Sequence, residues 1–122
     1  MSRELLIAVI DDDESFRTAL VDCLGSLGYG ARGFASADEF VGSAADGSWD
    51  CVITDIHMPG MSGFDLGQLL ATRRCGPPVI MVTARSDVGV EAHAAASGAI
   101  GLLRKPFETD ALIGHLEKAL KL

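Results

Sequence analysis

Leu5-Leu6-Ile7-Ala8-Val9-Ile10, followed at once by Asp11-Asp12-Asp13, is the stretch on which the fold turns. Six apolar residues in a row have the length of a strand buried on both faces, as in a parallel sheet covered from both sides. The run stops at acids, so charge is placed where the chain leaves the sheet. The same punctuation returns downstream. Cys51, Val52 and Ile53 lead to Asp55 and then to the breaker-rich His57-Met58-Pro59-Gly60-Met61. Pro77 and Pro78 precede Val79 to Val82, which ends at Thr83, and Ala99 to Leu103 leads to Lys105-Pro106-Phe107.

The segments between these runs carry a different period. Phe16, Ala19, Leu20, Cys23, Leu24 and Leu27 recur at helical spacing, and Gly28 stands where a helix-ending glycine belongs. Tyr29 to Phe34, weakly alternating with two glycines, reads as a strand. Ser36 and Glu39 have capping-box spacing ahead of Phe40, Val41 and Ala44, which predicts a helix to about Ala45. Ser62 is placed to cap a third helix bearing Phe64, Leu66, Leu69 and Leu70. An alanine-rich helix is predicted around Val88 to Ala96, and a closing helix carries Leu112, Ile113, Leu116 and Leu120 with Thr109 as N-cap.

Five strand-helix units in strict alternation imply an α/β fold, a doubly wound parallel sheet with helices on both faces and right-handed crossovers. Open sheets of this kind bind ligands beyond the carboxyl ends of their strands, near the point where strand order reverses. Asp11 to Asp13, Asp55, Thr83 and Lys105 all fall at such ends, so four segments are expected to meet in one pocket.

Bulk properties narrow the classes. A chain of 122 residues, 48% hydrophobic with four prolines, fits one compact domain over 1–122. A formal net charge of -7 argues against direct binding of nucleic acid by this domain. The apolar run from Leu5 is too short for a signal-peptide core or a membrane span, so a cytoplasmic location is expected. Cys23, Cys51 and Cys75 lack the paired spacing of a zinc or redox site and read as reduced thiols, two of them in the core.

Clustered carboxylates repel one another and raise each other's pKa unless a cation neutralises them. All-oxygen ligands suit a hard ion such as Mg2+, which keeps several waters for a phosphate to replace. A carboxylate is also a nucleophile able to form an aspartyl-phosphate, and Lys105 with the Thr83 hydroxyl would serve the phosphoryl oxygens. Singly these signals are weak. Asp13 is better read as a helix N-cap acid, Thr83 alone as a strand-end residue, Lys105 alone as a solvated charge and His57 as a loop residue. The combination carries the reading.

Val9-Ile10-Asp11-Asp12-Asp13, Asp55-Ile56-His57-Met58-Pro59-Gly60-Met61-Ser62-Gly63, Thr83-Ala84 and Lys105-Pro106-Phe107, in this order and spacing, resemble the receiver domain of bacterial two-component response regulators along essentially the whole chain. Asp11 to Arg17 and the sequence around Phe34 to Phe40 are most similar to the nitrogen-fixation regulator subfamily. The resemblance implies a flavodoxin-like (βα)5 sheet of strand order 2-1-3-4-5. It implies that Asp55 takes a phosphoryl group from a sensor histidine kinase or phosphotransfer protein and switches an output surface. Mg2+ would be held by Asp12, Asp55 and the backbone carbonyl of His57, with Asp11 joining through water. Thr83 and Lys105 would contact the phosphoryl oxygens, and the Lys105–Pro106 peptide would be cis.

One position departs from the pattern. The family usually has an aromatic switch residue three places before the lysine, where this chain has Leu102. Signalling is therefore expected to run through the loop from Arg85 to Gly89 and the alanine-rich fourth helix, with a homodimer through the fourth helix, fifth strand and fifth helix as readout. His57 and Arg85, two places beyond Asp55 and Thr83, are candidates for tuning dephosphorylation. Such a domain is no enzyme beyond catalysing its own phosphotransfer and dephosphorylation. An aspartate-nucleophile phosphatase would have a second Asp where His57 stands. A flavin protein would have a Ser/Thr/Gly-rich loop where Asp11 to Glu14 stand, and an interaction module that is never phosphorylated would not retain the full acid set.

Overall fold

The computed structural model describes residues 4–44, 49–73, 76–85 and 87–121. Its elements alternate: β1 (Leu6–Ile10), α1 (Glu14–Ser26), β2 (Gly30–Phe34), α2 (Ala37–Ala44), β3 (Cys51–Asp55), α3 (Gly63–Ala71), β4 (Val79–Thr83), α4 (Val90–Ala96), β5 (Ala99–Arg104) and α5 (Thr109–Leu120). The five strands form one parallel sheet in the order β2-β1-β3-β4-β5, the topology that the family resemblance implies.

Period-two alternation splits the strand side chains between two cores. Ile7, Val9, Cys51, Ile53, Ile80, Val82 and Leu103 pack against Leu20 and Leu24 of α1 and Leu112 and Leu116 of α5. Ala8, Ile10, Val52, Val79 and Met81 pack against Phe40 of α2, Leu66 and Leu70 of α3, and Val90 and Ala94 of α4. Burying each large apolar side chain contributes roughly 1.5–3 kcal/mol. Both cores therefore clamp β1, β3 and β4, the strands whose ends carry the acids and Thr83.

Caps follow the sequence in most places. Asp13 caps α1, its carboxylate accepting from Phe16 N at 3.2 Å, and Gly28 follows the helix at φ +95°. Glu39 N donates to Ser36 Oγ at 3.0 Å, while the Glu39 carboxylate turns back to Ala35 N. Ser62 and Asp65 form a full capping box on α3.

Three local readings are corrected. Helix α5 starts at Thr109, with extended Glu108 as its N-cap, because the first intrahelical bonds close on the Glu108 carbonyl. Helix α4 begins at Val90 rather than Val88, since Gly89 adopts the left-handed conformation (φ +81°) just ahead of it and leaves Val88 fully exposed. Ala19 of α1 faces solvent, and Leu27, the C-cap, is also exposed. Of the cysteines, Cys51 is buried, which pushes its thiol up to about 12, and Cys23 is partly buried. Cys75 lies outside the described residues, as does the expected end of the second helix at Ala45. Among the described residues, no helix is long and apolar enough to cross a membrane.

Gly63 fixes where α3 meets the site. A Cβ there would strike the Asp55 carbonyl oxygen and lie 2.8 Å from Ile56 Cα, and Gly63 N donates to Ile56 O at 2.9 Å. Backbone cannot yield as a side-chain end can. Gly63→Ala should cost about 1–3 kcal/mol in urea denaturation. Gly114→Ala, in α5 with nothing within 4 Å of the new methyl, should instead stabilise by about 0.5–1 kcal/mol.

Candidate functional site

The C-terminal ends of β1, β3 and β5 converge at the point where the sheet runs from β1 outward to β2 on one side and β3 on the other. Asp11, Asp12 and Asp55 each offer a carboxylate oxygen, all within 4.8 Å of one another. Asp11 and Asp55 are buried, while Asp12 is exposed. Lys105 Nζ answers them, 2.8 Å from Asp11 Oδ2 and 3.7 Å from Asp55 Oδ2.

Asp11 is held at every polar atom. Its N donates to Phe34 O, its Oδ1 accepts from Asp13 N at 2.9 Å, its Oδ2 takes Lys105, and its carbonyl accepts from the Arg17 guanidinium at 2.7 Å. Asp55 is held less firmly. Burial and the neighbouring Asp11 charge push its carboxyl above the ordinary value, against the lowering pull of Lys105 and of the His57 and Ile56 backbone N–H groups.

Thr83 is fully buried at the end of β4, where its Oγ1 accepts from Arg85 N at 3.0 Å. Lys105 N donates to Thr83 O at 2.8 Å, and the Lys105–Pro106 peptide is cis. His57 is partly exposed with Nε2 3.8 Å from Asp87 Oδ2. Arg85 is exposed. Leu102 lies apart from the acids, opposite Met81 in the sheet and packed with the core under α3 and α4.

Two contributors had no distinct signal in the sequence. Phe16, read as a helix core position, places its ring 4.0 Å from Lys105 Nζ and 5.9 Å from the Phe107 ring, a cation-π seat that steadies the ammonium. Arg17 lays its stem along Gly33, where a Cβ would come within 3.0 Å of it. Only its place in the Asp11 to Arg17 stretch could have pointed to it.

Residues 7–117 match the sequence profile of the response regulator receiver domain. The chain belongs to this family. Transcriptional regulatory protein FixJ of Bradyrhizobium diazoefficiens is 35% identical over 115 residues, covering 94% of this chain and 56% of that protein. DNA-binding transcriptional regulator NtrC of Salmonella typhimurium is 34% identical over 94% of this chain and 24% of its own length. The receiver domain thus spans about half, or less, of the curated relatives it matches. A crystal structure of FixJ-N superposes with a TM-score of 0.89 at 30% identity, covering 98% and 96% of the two chains. A response regulator receiver protein from Burkholderia phymatum gives 0.87 at 36%, covering 98% and 97%.

The receiver domain's donor set fits a hard cation: oxygens of three carboxylates are close enough to share an ion, and Lys105 reaches two of the three. Without a cation, ionised Asp55 destabilises the fold. A raised carboxyl pKa gives stability that is present below the ordinary value of 3.8 and lost as pH rises through the folded value. Asp55→Asn should therefore raise Tm by about 2–5 °C at pH 7 in the absence of divalent ions. The gain should vanish near pH 3.5, read by calorimetry on both proteins.

Proposed function

We propose that residues 1–122 form a single receiver domain in which Asp55 accepts a phosphoryl group from a sensor histidine kinase or phosphotransfer protein in the cytoplasm. The observation that carries this reading is the grouping of Asp11, Asp12 and Asp55 with Lys105 reaching two of them. In the transfer, an Asp55 oxygen bonds to phosphorus as the bond to the donor's imidazole nitrogen breaks and that nitrogen keeps the electron pair. Lys105 would meet the charge on the phosphoryl oxygens, and the Thr83 hydroxyl would donate to one of them. Asp12, Asp55 and the His57 carbonyl would hold Mg2+, with Asp11 acting through water; the ion supplies charge neutralisation for the phosphoryl oxygens.

Hydrolysis runs the other way, with water attacking phosphorus and the Asp55 carboxylate leaving. His57 and Arg85 border that approach and would tune its rate. A free-standing phosphatase is disfavoured by His57 standing where a general-acid Asp would be required. The output surface is the face made by α4, β5 and α5, and a homodimer through it is the proposed readout, with the side chain of Leu102 following passively.

Asp55→Asn should reduce labelling by acetyl phosphate in Mg2+ to background, because an amide keeps the shape but is no carboxylate nucleophile; equal labelling of the two proteins would remove Asp55 from this role. Asp12→Ala should weaken Mg2+ binding by about tenfold or more, roughly 1.4 kcal/mol per decade. The fold of that variant should be intact, since removing one clustered carboxylate relieves repulsion in the metal-free protein. Calorimetric titration with Mg2+ and a thermal melt separate this from a structural role, in which affinity would hold and Tm would fall.

A further inference from the structure

Arg104 and Lys105 are consecutive at the end of β5, and successive side chains along an extended strand point to opposite sides. Lys105 reaches the acids, whereas Arg104 reaches the signalling elements. One guanidinium nitrogen of Arg104 donates to Arg85 O at 3.1 Å, and the other sits 3.1 Å from Glu91 Oε1 in the first turn of α4. Arg85 is thereby gripped at both backbone groups: its carbonyl accepts from Arg104 and from the Thr83 hydroxyl, 3.4 Å away, and its N–H donates to Thr83 Oγ1 at 3.0 Å.

We propose that Arg104 is a positioning residue that couples the phosphoryl pocket to α4 and restrains the unphosphorylated arrangement. The proposal rests on Asp55 being the phosphoacceptor. A threonine hydroxyl has one hydrogen to give. In this structure that hydrogen points to Arg85 O, 3.4 Å from Oγ1, and the same hydroxyl oxygen accepts from Arg85 N at 3.0 Å. For Thr83, fully buried, to move toward a phosphoryl oxygen it must withdraw from both backbone groups or draw Arg85 along with it, against the hold of Arg104 on the same carbonyl. The Arg85 backbone therefore has two arrangements, and Arg104 favours the one seen here. Leu102, which has no polar atom on its side chain, cannot make this link; the guanidinium two residues on does.

The size of the effect is bounded. An exposed ion pair such as Arg104–Glu91 is weak alone, and the charge-assisted bond to the Arg85 carbonyl adds modestly. By linkage, a contact that stabilises the unphosphorylated state weakens binding of anything that selects the other state.

The test titrates the full chain with beryllium trifluoride in Mg2+, a phosphoryl mimic, by calorimetry. Arg104→Met keeps the stem and removes every donor. It should bind the mimic about two- to fivefold more tightly with Tm unchanged, and Glu91→Gln should show a smaller gain of the same sign. Simple loss of a positive charge near an anionic ligand predicts the opposite sign. The gain should disappear when Arg104→Met is made in a Thr83→Ala background, because the coupling passes through that hydroxyl. Unchanged or weaker binding by Arg104→Met, or an undiminished gain without the hydroxyl, overturns the proposal while leaving Asp55 as phosphoacceptor. Failure of the wild type to bind the mimic overturns both.

Discussion

Three carboxylates with oxygens held within 4.8 Å of one another, two of them reached by the ammonium of Lys105, form the constraint on which the rest of this domain depends. Such a group would fly apart in a flexible chain. Here it is pinned by strands whose side chains fill two cores. Asp11 lies immediately after β1 and Asp55 is the last residue of β3, two neighbouring strands in the sheet. Asp11 has a partner at each carboxylate oxygen, while burial and the neighbouring Asp11 charge raise the carboxyl pKa of Asp55. A site built this way is poised for a ligand bringing positive charge.

The elements divide into those that hold the site and those with little packing around them. Strand ends and the close seating of Gly63 against Asp55 and Ile56 fix the acids, as suits groups that must keep their geometry. The β4–α4 connection has a different character. Arg85, Asp87, Val88 and Gly89 are exposed, Gly89 is left-handed, and the helix that follows is short and rich in alanine. Exposed side chains add little packing to this connection, so its hydrogen bonds to Thr83 and Arg104 weigh more in holding it. Arg104 ties that connection to β5 and α4, beside the lysine that senses the acids.

Much of this was legible along the chain. Apolar runs ending in Asp11, Asp55, Thr83 and Lys105 marked strand ends, and helical spacing placed five helices, because burial on one or both faces imposes a local period on the sequence. Boundaries were less so. Thr109 and Val88 were misjudged by one or two residues, since a helix start depends on which carbonyl closes the first turn and on a backbone angle at Gly89 that no spacing rule specifies.

The sequence by itself determined the alternation of elements, the doubly wound sheet and the convergence of the acids with Thr83 and Lys105, all consequences of local hydrophobic patterning and chain connectivity. Only the tertiary structure decided the partners. Lys105 meets Asp11 across 94 positions of sequence, Arg17 takes the Asp11 carbonyl, Phe16 lies beneath the ammonium, and Arg104 bridges to Glu91. Hydrogen bonds and ion pairs act over about 3 Å and depend on direction, so which charge finds which partner is settled only when the packed cores bring the strand ends into register.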